Sequence, residues 1–110
     1  CFSGSVEFAR DALSLGLYIG LGGAVTFKNA KRPLEVASFV PSDMLLLETD
    51  CPYMTPHPHR GNRCDSSFIT ITAQKLAEVR GTDVRQILNQ TADNARKLFN
   101  IKEQSNEKPK

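Results

Sequence analysis

No stretch of this 110-residue chain approaches the roughly 18 consecutive apolar residues that a membrane span needs. Nor does it show the charged leader, short apolar run and small-residue cleavage site of a secretory signal. Cysteine is scarce. Cys1, Cys51 and Cys64 are odd in number and have no disulfide-framework spacing, so reduced thiols in a cytoplasm are expected. Charge of one sign is lacking too. The net charge of +2 does not by itself call for nucleic acid or membrane. There is no internal repeat. Only residues 102–110, KEQSNEKPK, are poor in apolar side chains, and they are predicted to form a polar, disordered tail.

What is present fits one small domain, 40% hydrophobic and 24% charged. The opening Cys1-Phe2-Ser3-Gly4 carries no methionine and reads as cut from a longer chain. Ser3 or Ser5 can cap a helix to about Leu15. Its apolar rows are Val6, Ala9, Leu13 and Phe8, Ala12, Leu15, a face wide enough to pack on a sheet. Gly16 suits the left-handed position past the helix end. Residues 17–21 read as a strand, with a loop opening at Gly22-Gly23. Pro33 fits the first turn of a helix that stops before Pro41. Residues 44–48 read as a second strand, and the proline-rich residues 51–65 as a loop. Ser66 or Ser67 then caps a helix to Arg80, closed by Gly81. Thr82 caps another, with Val84, Ile87, Leu88 and Thr91 on one face. Thr91 is expected to cap a third, with Ala92, Ala95, Leu98 and Phe99 inward.

Short apolar strands alternating with helices imply parallel βα units of an α/β protein. Two strands do not make a stable sheet of this kind. The sheet is therefore expected to be incomplete in this chain.

The run Leu45-Leu46-Leu47-Glu48-Thr49-Asp50 ends an apolar strand in acids. If the strand reaches Asp50, then Met44, Leu46, Glu48 and Asp50 share one face. A carboxylate delivered to the C-terminal end of a buried parallel strand can ligate a divalent metal or take a proton from metal-bound water. An Asp before X-Pro also caps turns, so both readings stand. Glu48, one pleat deeper, reads better as a buried acid with a partner. Arg60 and Arg63, with Lys28 behind them, suit phosphate oxygens. Cys51, His57, His59 and Cys64 have zinc-type chemistry. However, no C-x2-4-C pair opens the set, and Pro56 and Pro58 make the histidines diverge. Cys51 lacks a histidine base beside it and is a poor nucleophile candidate. Gly20, Gly22 and Gly23 fit either part of a phosphate-cradling loop or a tight βα turn.

Together these motifs resemble the C-terminal part of a TatD-type metal-dependent hydrolase. The matching residues are Glu48-Thr49-Asp50-Cys51-Pro52-Tyr53, Arg60-Gly61, Arg63, and Thr91-x-x-Asn94-Ala95-Arg96-Lys97-Leu98-Phe99. The front, Cys1-Phe2-Ser3-Gly4-Ser5, matches that family's His-Cys-Phe-Ser-Gly pattern, and Gly22-Gly23 and Thr26-Phe27-Lys28-Asn29 match as well. The resemblance covers nearly the whole chain to Ile101. It departs where the family has Asn-Glu-Pro and this chain has Cys64-Asp65-Ser66.

The resemblance implies the last βα units of a (β/α)8 barrel, incomplete here and ending in several helices. It implies hydrolysis of DNA phosphodiesters, as a deoxyribonuclease and often an exonuclease, with one or two divalent ions (Mg²⁺, Mn²⁺ or Zn²⁺). Of the family's metal ligands only the last Asp falls in this chain, at Asp50, which would bind metal and accept a proton. His57 and His59 match no family ligand. Arg60 and Arg63 would steady phosphates. This chain alone is expected to hold no catalytic ion, to be inactive, and to self-associate through exposed barrel faces. Two other readings remain open: a non-catalytic helical interaction module built on residues 66–99, and a barrel hydrolase of small amides or lactones.

Overall fold

The computed structural model describes residues 2–101. Cys1 and the expected polar tail, 102–110, lie outside the described residues. The first helix, α1, is Val6–Ser14, and Ser5 caps it by accepting a hydrogen bond from the Phe8 amide at 3.3 Å. Gly16 follows at φ +84°. Its amide bonds the Leu13 carbonyl, and the Leu17 amide bonds Ala12, the paired closure of a Schellman motif. Leu17 is thereby used to end the helix, and strand β1 is Ile19–Leu21 rather than 17–21.

Helix α2 is Lys31–Phe39, with Pro33 in its first turn and an extended Val40 before Pro41. A 3-10 turn, Ser42–Met44, precedes strand β2, Leu45–Leu47. Met44 bonds back to the Pro41 carbonyl and so belongs to the turn. β1 and β2 form one parallel two-stranded sheet, with Ile19 beside Leu45 and Leu21 beside Leu47. The Glu48 amide extends the ladder to the Leu21 carbonyl at 3.1 Å.

After the 51–65 loop comes another 3-10 turn, Ser66–Phe68, whose cap is Asp65 rather than Ser66 or Ser67. Helix α3 is Ile69–Arg80, ending at Gly81 with φ +67°. The Thr82 amide closes α3 onto the Ala77 carbonyl, so Thr82 belongs to that helix end. The cap of α4, Val84–Phe99, is instead Asp83, in a capping box with Gln86. The helix runs unbroken through Thr91. There the buried hydroxyl donates back to the Ile87 carbonyl at 2.8 Å, which continues a helix instead of starting one. The inward face is accordingly Ile87, Thr91 and Asn94; Ala92, Leu98 and Phe99 are exposed.

Ile19, Leu21, Val36, Val40, Leu45 and Leu76 form the heart of the core, each side chain contributing about 1.5–3 kcal/mol by its burial. Two polar pins tie α3 and α4 to the segment that runs from the end of α2 into β2. The Arg80 guanidinium donates to the Ala37 and Val40 carbonyls at 2.7 and 2.6 Å. Partial burial pulls its pKa below the ordinary value. The fully buried Asn94 amide donates to the Ser42 and Leu45 carbonyls at 2.7 and 2.8 Å. On α1, Ala9 is buried and Val6 and Leu13 pack beside it, but of the second row only Ala12 packs, Phe8 (64%) and Leu15 (77%) being largely exposed. Among the described residues no helix is long and apolar enough to cross a membrane.

Candidate active-site rim

Because β1 and β2 run parallel, the segments that follow them leave from the same edge of the sheet. Contacts across that edge join the segments. The Thr26 hydroxyl donates to the Gly23 carbonyl at 2.7 Å and accepts from the His57 amide at 2.8 Å. A Cβ at Gly23 would strike the Met54 carbonyl. One at Gly20 would come within 2.7 Å of the Glu48 Oε2, and one at Gly22 within 3.0 Å of the Glu48 carbonyl. Close backbone approach therefore accounts for Gly22 and Gly23, while Gly20 faces the Glu48 side chain, which favours the tight-turn reading over the phosphate cradle.

Asp50 does not sit in an extended strand. β2 stops at Leu47, so the shared face of Met44, Leu46, Glu48 and Asp50 does not form. Glu48 is half-buried against Gly20, whereas Asp50 is exposed in a turn that its carbonyl closes by accepting from the Tyr53 amide at 2.8 Å. An isolated antiparallel bridge pairs the same two residues. Asp50 thus makes a turn through its backbone, as the turn reading expects, and its exposed carboxylate lies just past the C-terminal end of β2.

The loop beyond is folded on itself. The Thr55 hydroxyl donates to the Asn62 carbonyl at 2.6 Å, and the Cys64 amide to the Pro52 carbonyl at 3.0 Å. Burial pushes the Cys64 thiol above its ordinary pKa, reinforced by hydrogen bonding with the Cys51 thiol beside it. Cys51 itself lies 2.7 Å from the Thr49 hydroxyl. At the loop's end Asp65 accepts from both the hydroxyl and the amide of Ser67, and these bonds hold its carboxyl below the usual range. In place of the family's Asn-Glu-Pro, this chain's Asp65 works as a cap.

Arg60 and Arg63 line one groove with Tyr53, the partner of Asp50 in the bridge. Arg60 also lies over the Phe27 ring, its guanidinium carbon 3.8 Å from the centroid, a contact that sequence reasoning missed. The two histidines diverge: His59 stacks on Phe68 at 5.1 Å, and His57 faces a cleft with Lys28 and Arg60. Among the described residues no group of three or more His, Cys, Asp or Glu is placed to hold a metal ion. An exposed carboxylate is a hard oxygen donor that fits a divalent ion as one ligand, and a catalytic ion takes about three from protein.

Comparison with known proteins places this geometry. Residues 1–100 match the family described as TatD related DNase. YabD of Bacillus subtilis, named an uncharacterized metal-dependent hydrolase, is 46% identical over 101 residues, spanning 92% of this chain and 40% of that protein. The crystal structure of YjjV, a TatD homologue from Escherichia coli, superposes with a TM-score of 0.84 at 32% identity, over 92% of this chain and 39% of the other. A TatD family hydrolase from Entamoeba histolytica shares the fold, with a TM-score of 0.78 at 20% identity over 93% of this chain and 41% of the other. The chain spans 40% of YabD's length, and it belongs to the TatD-related DNase family.

Proposed function

We propose that this chain carries the Asp50 corner of a divalent-metal site, and that the protein it forms part of hydrolyses DNA phosphodiesters, working from strand ends. The chain would supply the C-terminal βα units of a (β/α)8 barrel. The observation that carries the reading is the family match over residues 1–100, with an exposed Asp50 at the C-terminal edge of a parallel strand pair, where such barrels keep their sites.

A bound divalent ion supplies Lewis acidity and a more acidic water. Asp50 is one of its ligands and takes up a proton at its carboxylate. Arg60 and Arg63, in the groove beside Tyr53, hold phosphate oxygens through their planar forks. Exposed Phe8, Leu15 and Leu17 belong to faces that the rest of the barrel covers; the chain alone self-associates through them and holds no catalytic ion. The setting is a reducing cytoplasm, in keeping with the free thiols of Cys51 and Cys64.

The test uses the whole protein, stripped with a chelator and resupplied with Mg²⁺, Mn²⁺ or Zn²⁺ singly. It is offered end-labelled DNA, RNA, a lactone and an amide. The expected result is progressive shortening of DNA that stops on chelation and returns with metal. Lactone or amide turnover without phosphodiester cleavage, or DNA cleavage that survives chelation, would contradict the reading.

A further inference from the structure

One surface beside the site assigned to Asp50 shares Arg60 with the proposed phosphate contacts but is otherwise unused by them. It is the cleft of about 600 Å³ between the segment after β1 and the loop after β2, lined by Phe27, Lys28, Asn29, His57 and Arg60. The geometry points to a phosphate subsite in this cleft, one that holds a phosphate of a single-stranded nucleic acid away from the bond being cut.

Charge is the first argument. The lining carries Lys28, Arg60 and an imidazole, and no Asp or Glu. The second is the state of Arg60. Its guanidinium lies over the Phe27 ring, and among the described residues no carboxylate pairs with it. Stacking on a ring uses the face of the guanidinium and leaves the N–H donors at its edge for an oxyanion, so the side chain is positioned without being neutralised.

A third observation is independent of these side chains. Helix α2 begins at the same cleft, where Ala30 and Pro33 complete the lining. Its N-cap, Ala30, supplies no side-chain hydrogen bond, and its first turn contains no acid. The positive end of the helix dipole therefore lies beside the cleft that Lys28 and Arg60 line. The cleft is also built rather than incidental, because the bond from the His57 amide to Thr26 ties its two walls together across 31 residues of sequence.

The anion chemistry stands on the cleft alone; its assignment to a nucleic acid rests on the proposed hydrolase reading. The experiment separates the two. Binding of a short fluorescein-labelled single-stranded oligonucleotide to the whole protein is followed by anisotropy, in chelator so that nothing turns over, at several salt concentrations. The pair Lys28→Gln with Arg60→Gln is expected to weaken binding about tenfold. It should also lower the slope of log affinity against log salt by about one. Arg60→Lys keeps the slope, because the charge remains. An unchanged affinity and slope in the Lys28 and Arg60 pair would overturn the subsite, whatever the enzyme cleaves. Binding that falls in the pair, in a protein that cleaves no DNA, would sink the hydrolase reading and leave the subsite standing. Calorimetric binding of inorganic phosphate that is lost in the Lys28 and Arg60 pair, by a protein that binds no oligonucleotide, would overturn the nucleic-acid assignment.

Discussion

The two ends of β2 are organised in opposite ways. On the approach to its N-terminal end, Arg80 and Asn94 donate to four backbone carbonyls, from Ala37 in α2 to Leu45 at the start of β2. At its C-terminal end the chain turns outward, and Asp50, Arg60 and Arg63 stand exposed. The first region spends its polar groups on holding itself together; the second keeps them for a ligand. This division explains why the Asn94 motif and the Asp50 motif, though both carry the resemblance seen in the sequence, have different meanings. One is a structural pin and the other is a candidate for chemistry.

The sharpest way to break the comparison is at the pin. Asn94→Ala leaves the Ser42 and Leu45 carbonyls buried without donors and opens a small void, costing about 3 kcal/mol. Urea unfolding measures it, and a cost near zero would remove the distinction between the two ends. Gly23→Ala comes next. Its Cβ meets the Met54 carbonyl, so the rim loops must part at a cost of about 2 kcal/mol. Hydrogen exchange should rise around residues 52–58 and stay unchanged in α4. Asp83→Ala removes the capping box of α4 and costs about 1 kcal/mol, read as a lower unfolding midpoint with no change at the rim.

The smallest effect is electrostatic. The Ser67 bonds lower the pKa of Asp65 in the folded state, so the folded state binds its proton less readily than the unfolded one. The contribution is present above the ordinary carboxylate range and is lost as pH falls through the depressed value. Asp65→Asn should lower stability slightly at neutral pH and flatten the acid side of the profile, converging with wild type in acid.

Much of the frame was legible because its causes are local. Ser5 caps the helix it precedes, Gly16 and Gly81 take the left-handed positions after helices, and Pro41 ends α2. The errors arose where a residue's role is decided by a competitor nearby or by a partner far away in sequence. Thr82 and Leu17 look free to begin an element, yet their amides finish the preceding helix. Thr91 has a cap's chemistry, but its hydroxyl bonds backward inside a continuous helix. At the rim, Asp50 and the two arginines could be picked out by type. The stacking of Arg60 on Phe27 could not, because it joins two loops that meet only once the parallel strands have formed. Asn94 is similar: it was visible as a motif, while its partners lie 52 and 49 residues away.

The most direct test of the division compares wild type and Asp50→Asn in the whole protein, measuring metal-dependent DNA hydrolysis and the unfolding midpoint on the same preparations. The account predicts that hydrolysis falls by at least about a hundredfold while the midpoint stays put, because an exposed carboxylate reserved for a ligand contributes little to folding. Undiminished hydrolysis in the variant would contradict the assignment of Asp50.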